Sequence, residues 1–211
     1  MRRTFTLVAL AALVALTLSA CSVPDAAAFG GSTGAPSWYF TVPKANTIQP
    51  RSFMVGLPYI EYSPIENLEV GLHGVKFRLE GLTDRPFAIG VDPILSFAYA
   101  YAVWELSGGE SDATLGFKVT PFFLLFGFEK QLTGNVSVVA EVNDGALAGL
   151  RIRIDPNWHV ELGAGLAAYG TWRADPFDHR GLHDYDFDDV DFEPTIWAGF
   201  AYSDFIGKYT E

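Results

Sequence analysis

From residue 68 onward, apolar residues exchange places with polar or small ones at every second position, through one run after another. Leu68, Val70 and Leu72 alternate with Glu69, Gly71 and His73, and Val75, Phe77 and Leu79 alternate with Lys76, Arg78 and Glu80. The pattern returns in Val138, Ala140 and Val142 against Val139, Glu141 and Asn143, and in Ala148, Leu150, Ile152 and Ile154 against Gly149, Arg151, Arg153 and Asp155. It continues in Val160, Leu162, Ala164, Leu166 and Ala168 against Glu161, Gly163, Gly165 and Ala167, and in Ile196, Ala198, Phe200 and Tyr202 against Trp197, Gly199 and Ala201. A period of two places the two sets on opposite faces of an extended strand. The runs are divided by His73-Gly74, Thr133-Gly134-Asn135, Asn143-Asp144-Gly145 and Asp155-Pro156-Asn157. Connections this short join antiparallel neighbours, because a parallel crossover needs a dozen residues or more.

Further strands are expected near 36–43, 51–61, 86–92, 94–105, 113–120 and 122–131. The chain therefore reads as all-β, an antiparallel up-and-down meander closed into a barrel of about ten strands, with eight to twelve as the range. Composition agrees: aromatic residues make up 15% of the chain, Gly numbers 21, and Lys and Arg together only 14. Aromatic and β-branched residues separated by Gly and Pro favour strands and turns.

Two architectures accommodate such a meander. In a soluble sandwich or lipocalin-like barrel the apolar face points inward. In an outer-membrane barrel it faces lipid, and glycine, alanine and charge fill the interior. Three features favour the second. The apolar faces are continuous over consecutive strands. The opposite faces mix charges of both signs among glycines, forming a lumenal ladder of Glu69, Lys76, Arg78, Glu80, Lys118, Glu141, Arg151, Arg153 and Glu161. Aromatic residues, among them Trp38, Tyr39, Tyr59, Tyr62, Trp104, Trp158, Tyr169, Trp172 and Tyr202, fall near expected strand ends, where interfacial girdles lie. Pro58, Pro93 and Pro121 are awkward within a closed ladder, and Lys208-Tyr209-Thr210-Glu211 departs from the terminal aromatic residue of bacterial outer-membrane barrels.

The first 20 residues carry a separate message. Arg2 and Arg3 precede an apolar stretch from Phe5 to Leu18, and Leu18-Ser19-Ala20-Cys21 supplies small residues before the chain's only cysteine. That arrangement is a secretory signal. Leu-Ser-Ala-Cys resembles the lipobox of bacterial lipoproteins, which implies cleavage before Cys21 and acylation of that residue with chains such as palmitate. Ser22, rather than Asp, fits onward export to the outer membrane. Residues 21–34 then read as a lipid-anchored flexible tether, rich in Ala, Gly and Ser, and 35–211 as one barrel domain. With no second cysteine there is no disulfide. The formal charge, −11 for the whole chain and −13 without Arg2 and Arg3, disfavours nucleic acid as a partner.

TGAPSWYFTVPKANTIQPRSFMVGL, LEVGLHGVKFRL with PFAIGVD, and VSVVAEVNDGALAGLRIRIDPNWHVELGAGL together resemble a group of envelope β-barrel lipoproteins associated with exopolysaccharide export, over roughly residues 34–170. The resemblance implies a structural or export-accessory role at the outer membrane, with envelope polysaccharide or export proteins as partners. It carries over no catalytic residues.

The segment RADPFDHRGLHDYDFDDVDFEP is the sharpest concentration of potential ligands. Asp184, Asp186, Asp188, Asp189 and Asp191 offer the hard oxygens that Ca²⁺ prefers. An EF-hand is disfavoured: Asp189 stands where the loop needs Gly, and Glu193 comes too early for the closing ligand. His179 and His183 could share a helix face, but Gly181 opposes a helix there. The plainer reading is a long solvated acidic loop at about 173–193, leaving no required cofactor.

Glu141 and Glu161 are expected to flank Arg151 and Arg153 as a structural ladder, since arginines hold carboxylates ionised and remove the proton donor that glycan hydrolysis requires. His73 and His159 read as isolated turn or rim residues. With no nucleophile elbow, phosphate loop or Cys/His metal pattern, the chain is expected not to be an enzyme. The leading expectation is an outer-membrane β-barrel lipoprotein in contact with lipid. A lipid-tethered soluble periplasmic domain that binds glycan, lipid or protein is the alternative, and a cation-dependent surface or adhesion module a further one.

Overall fold

A computed structural model of the chain describes residues 36–92, 99–107, 111–119, 124–143, 145–168 and 192–205. These residues form twelve strands: β1 (Ser52–Leu57), β2 (Ile60–Ile65), β3 (Leu68–Gly71), β4 (Gly74–Leu79), β5 (Phe87–Asp92), β6 (Tyr99–Ser107), β7 (Ser111–Lys118), β8 (Leu124–Thr133), β9 (Val136–Val142), β10 (Gly145–Arg153), β11 (Trp158–Ala168) and β12 (Phe192–Phe205). Each pairs antiparallel with its neighbours in sequence. β1 closes the ring on β12 from Ser52↔Phe205 to Leu57↔Phe200. The up-and-down barrel expected from the alternation is therefore present, with strand number at the top of the expected range.

Residues 51–61, expected as one strand, contain a reversal at Pro58-Tyr59 that separates β1 from β2. Residues 36–43, expected as a strand, are not part of the wall. Ser37–Ile48 lies inside the barrel, and its β-bridge joins Trp38 to Pro43 of the same segment. Its sequence explains the difference: Trp38, Tyr39 and Phe40 are three consecutive large apolar side chains, all buried, so no alternation divides this segment into two faces.

The wall turns its apolar face outward. Ile196, Leu57, Ile65 and Leu162 are 84%, 61%, 61% and 53% exposed, whereas the side chains of Glu69, Glu141 and Glu161 are buried. Across the sheet this sense is kept by register. Leu150 stands opposite Leu162 on the outside, and Arg151 opposite Glu161 on the inside.

The end where β1 begins and β12 finishes is here the proximal end, and the end carrying Pro58-Tyr59 and Leu72-His73 the distal one. Outward aromatic residues gather at the proximal end: Phe53 and Trp158 each pack on Tyr202, with ring centroids 6.1 and 5.1 Å apart, and Phe87 packs on Trp104 at 4.7 Å. Trp38, Tyr39 and Tyr59, expected among the rim aromatics, are instead core residues. Wall height is uneven. β1 to β5 hold four to six residues each and β6 to β12 hold seven to fourteen.

Candidate functional site: a hairpin seated in the lumen

Eight strands make a barrel that its own side chains fill, and sixteen or more leave a water channel. Twelve leave space between these cases, and here the chain's own hairpin occupies it. Tyr39 N–H donates to the Val42 carbonyl at 2.9 Å and Lys44 N–H to the Ser37 carbonyl at 2.9 Å, so the tip is Phe40-Thr41. The tip points to the distal end and both legs run back toward the proximal end. Arg51, in the left-handed region at φ 62°, turns the chain from the lumen into β1.

Glu141 on β9 receives the tip. Its carboxylate accepts the backbone N–H groups of Phe40 (3.0 Å), Thr41 (2.9 Å) and Val42 (3.1 Å), and the Thr41 hydroxyl at 2.7 Å. Two-residue turns leave such amides unpaired, and a buried amide without an acceptor is costly. Lys118 extends this end of the site: its ammonium donates to Asn143 Oδ1 at 2.5 Å, and Asn143 Nδ2 donates to Thr41 Oγ1 at 2.9 Å.

Arg151 grips the opposite side of the turn. Its Nη2 donates to the carbonyl oxygens of Trp38 (2.8 Å) and Tyr39 (2.7 Å), while the guanidinium is held by Glu161 at 2.7 Å and by Glu129. Glu161 also accepts from the Tyr59 hydroxyl at 2.7 Å and the Trp197 indole at 3.1 Å. A buried ion pair supports a fold only when its remaining lone pairs and protons are satisfied, and this one is.

Glu69 ties down the legs. It accepts from the Ser37 hydroxyl (2.7 Å), the Trp38 indole (3.1 Å) and the Ile48 amide (2.9 Å), and it pairs with Lys76 at 3.1 Å. Lys44, from the hairpin, bridges Glu129 at 2.7 Å and Asp112 at 2.8 Å and lies 4.9 Å from the centre of the Tyr39 ring. Burial works to lower the Lys44 pKa, but Asp112 and Glu129 together hold it above the ordinary lysine value. Burial raises the Tyr39 and Tyr59 phenols well above the usual range, assisted by the charges of Asp112 and Glu161 respectively.

The wall is shaped for this occupant. A Cβ on Gly127 would lie 2.1 Å from the Tyr39 ring, and one on Gly163 would lie 3.1 Å from the Phe40 ring. These inward glycines are the cradle into which two aromatic rings fit.

Of the nine ladder residues, Glu69, Lys76, Lys118, Glu141, Arg151 and Glu161 are buried in the lumen. Arg78 and Glu80, 3.6 Å apart, and Arg153, which donates to the Gly134 carbonyl at 2.7 Å, stand at the proximal rim. Glu141 does not join Arg151 as expected; it is spent on the hairpin amides, and Glu129 takes its place beside the arginine. His73 stands in the β3–β4 turn, as expected, but its ring is buried 4.5 Å from Trp38, and His159, expected at a turn or the rim, is buried within β11. Burial follows from position, since both point into a filled barrel. Cys21 and the candidate cation ligands Asp184, Asp186, Asp188, Asp189 and Asp191 lie outside the described residues, as do His179 and His183. Among the described residues no group of three or more His, Cys, Asp or Glu side chains is arranged to hold a metal ion.

Sequence reasoning missed the hairpin, Glu129, Tyr59 and Trp197. For Glu129 the signal was present: Leu125, Gly127, Glu129 and Gln131 alternate with Phe126, Phe128 and Lys130. Comparison with family models, with curated proteins and with solved structures gives no match.

Proposed function

We propose that this chain is a non-enzymatic outer-membrane β-barrel lipoprotein, anchored through Cys21, that serves a structural or accessory role in the envelope. The observation that carries this reading is the inverted polarity of the barrel: an exposed apolar belt surrounds a lumen of buried, mutually paired charges. A belt of that kind finds its lowest free energy against lipid, since each square ångström left in water forfeits roughly 25 cal/mol. The proximal aromatic cluster of Phe53, Trp158 and Tyr202 suits an interface between hydrocarbon and water. The resemblance of the strand motifs to exopolysaccharide-export lipoproteins makes envelope polysaccharide or its export proteins the partners to test first.

A second reading, a lipid-tethered soluble periplasmic domain that binds glycan, lipid or protein, is favoured by the low wall. A spanning strand takes about 9–11 residues, more than any of β1 to β5 contains. In the membrane reading, lipid meets that wall by thinning locally. Gel migration decides between the two. A membrane barrel folded into detergent or vesicles runs at different apparent masses before and after boiling and stays with the vesicles on flotation. A chain without residues 1–21 that is monomeric and soluble without detergent overturns the membrane reading.

A further inference from the structure

The hairpin is joined to the barrel in a way that permits withdrawal. Among the described residues it shares no β-ladder with any wall strand. Its contacts with the wall run through side chains: Glu141, Arg151 and Glu69 on its backbone and polar groups, and Glu129 and Asp112 on Lys44. Closure of the ring is independent of it, because β1 pairs directly with β12 over six residues. The second leg leads to the proximal end, and its connection into β1 passes through the left-handed residue Arg51. Among the described residues, moving the hairpin out of the proximal end therefore breaks no wall pairing.

The charges left behind determine what such an opening conducts. Glu69, Asp92, Glu129, Glu141 and Glu161 are buried in the lumen against Lys76, Lys118 and Arg151, and Lys44 departs with the hairpin. Carboxylates outnumber cations five to three among these residues, which gives a negative interior, and rings of carboxylate select cations. We propose that Ser37–Ile48 is a removable plug and that the barrel is a latent cation-selective pore. This inference rests on the membrane-barrel reading.

The test uses the full chain reconstituted into planar bilayers under a KCl gradient, with boiled and unboiled gel migration recorded for every variant. The wild-type barrel is closed most of the time. Deleting Ser37–Ile48 opens a steady conductance whose reversal potential lies toward that of K⁺. Glu141→Gln, which weakens the charge-assisted bonds to the tip, raises the open fraction about tenfold. Adding Thr41→Cys and Asn143→Cys to Glu141→Gln abolishes that conductance when oxidised and restores it on reduction. A deletion variant that inserts and shows heat-modifiable migration yet stays silent, or conducts with Cl⁻ selectivity, overturns the plug. So does a crosslinked variant that conducts as well oxidised as reduced. If the wild-type chain itself fails to enter the bilayer or to show heat-modifiable migration, the membrane reading falls and the pore falls with it.

Discussion

The carboxylate of Glu141 accepts both the backbone amide and the hydroxyl of Thr41, a residue 100 positions earlier in the chain. That pairing joins the last turn of a lumenal hairpin to a strand on the far wall and sets how deeply the hairpin sits. Because the amides of Phe40 and Val42 converge on the same carboxylate, one side chain satisfies an entire turn.

Truncating that side chain should therefore be expensive. In Glu141→Ala three amides, two of them buried, lose their acceptor, and a loss of about 3–5 kcal/mol is expected, the size seen when one partner of a buried charged contact is removed. The shift of the urea unfolding midpoint, followed by tryptophan fluorescence, measures it. A change below about 0.5 kcal/mol, the range of ordinary surface substitutions, would show that the hairpin is not held this way.

Gly127 and Tyr39 should be coupled. A methyl group at Gly127 collides with the Tyr39 ring, so Gly127→Ala is expected to cost about 1–3 kcal/mol by overpacking. Removing the ring with Tyr39→Ala should abolish most of that penalty in a double-mutant cycle. Additive effects would mean that the two residues do not share the space.

The outer face distinguishes lipid from water as its surroundings. Leu162 lies midway along β11 and is exposed. In a bilayer Leu162→Arg should cost about 2–4 kcal/mol, whereas on a soluble barrel it should fall within about 0.5 kcal/mol of neutral. Folding yield into vesicles at graded urea separates these outcomes.

Alkaline conditions should loosen the hairpin. The unfolded chain ionises its tyrosines near pH ~10, while burial keeps the Tyr39 and Tyr59 phenols protonated to higher pH. Their contribution is complete below about pH 10 and is lost as pH rises beyond it. Lys44 acts in the same sense, because its raised pKa favours the folded state until the folded ammonium itself deprotonates. Stability measured between about pH 8 and 11 should fall across the upper part of that window. Tyr39→Phe should flatten the fall, and an unchanged slope would remove Tyr39 from the account.

Lipidation is tested without any structure. Cys21→Ser should abolish metabolic labelling with palmitate and release the chain from acyl-dependent attachment, while a barrel that is itself embedded remains with the membrane. Label that persists in this variant would place the acyl chain on another residue.

Much of the wall was legible because a strand's side chains alternate strictly. Once Leu150 is placed outside, Arg151 must be inside, and Glu161 must face it wherever the 154–157 turn sets the register. Glu69, Lys76, Lys118 and Glu141 followed by the same parity. The hairpin followed from no such rule. Trp38-Tyr39-Phe40 has the composition of a strand but not its period, and only the folded barrel encloses all three rings, Tyr39 against Gly127, Phe40 against Gly163 and Trp38 against His73. Glu141 is expected beside the arginines because its strand flanks theirs, whereas in the barrel Arg151 pairs with Glu161 and with Glu129, the latter from a strand not adjacent to its own.

The amino-acid sequence by itself determined the class of fold, the two faces of each later strand and the likeness of Leu18–Cys21 to a lipobox. These are local properties, set by a period of two, by turn chemistry and by an apolar run after two arginines. Tertiary structure alone decided that twelve strands close, that the resulting lumen exceeds what the wall's own side chains fill, and that a segment without its own ladder occupies the space. Such outcomes depend on barrel diameter and on carboxylates brought together from strands far apart in the chain, distances that no local pattern encodes.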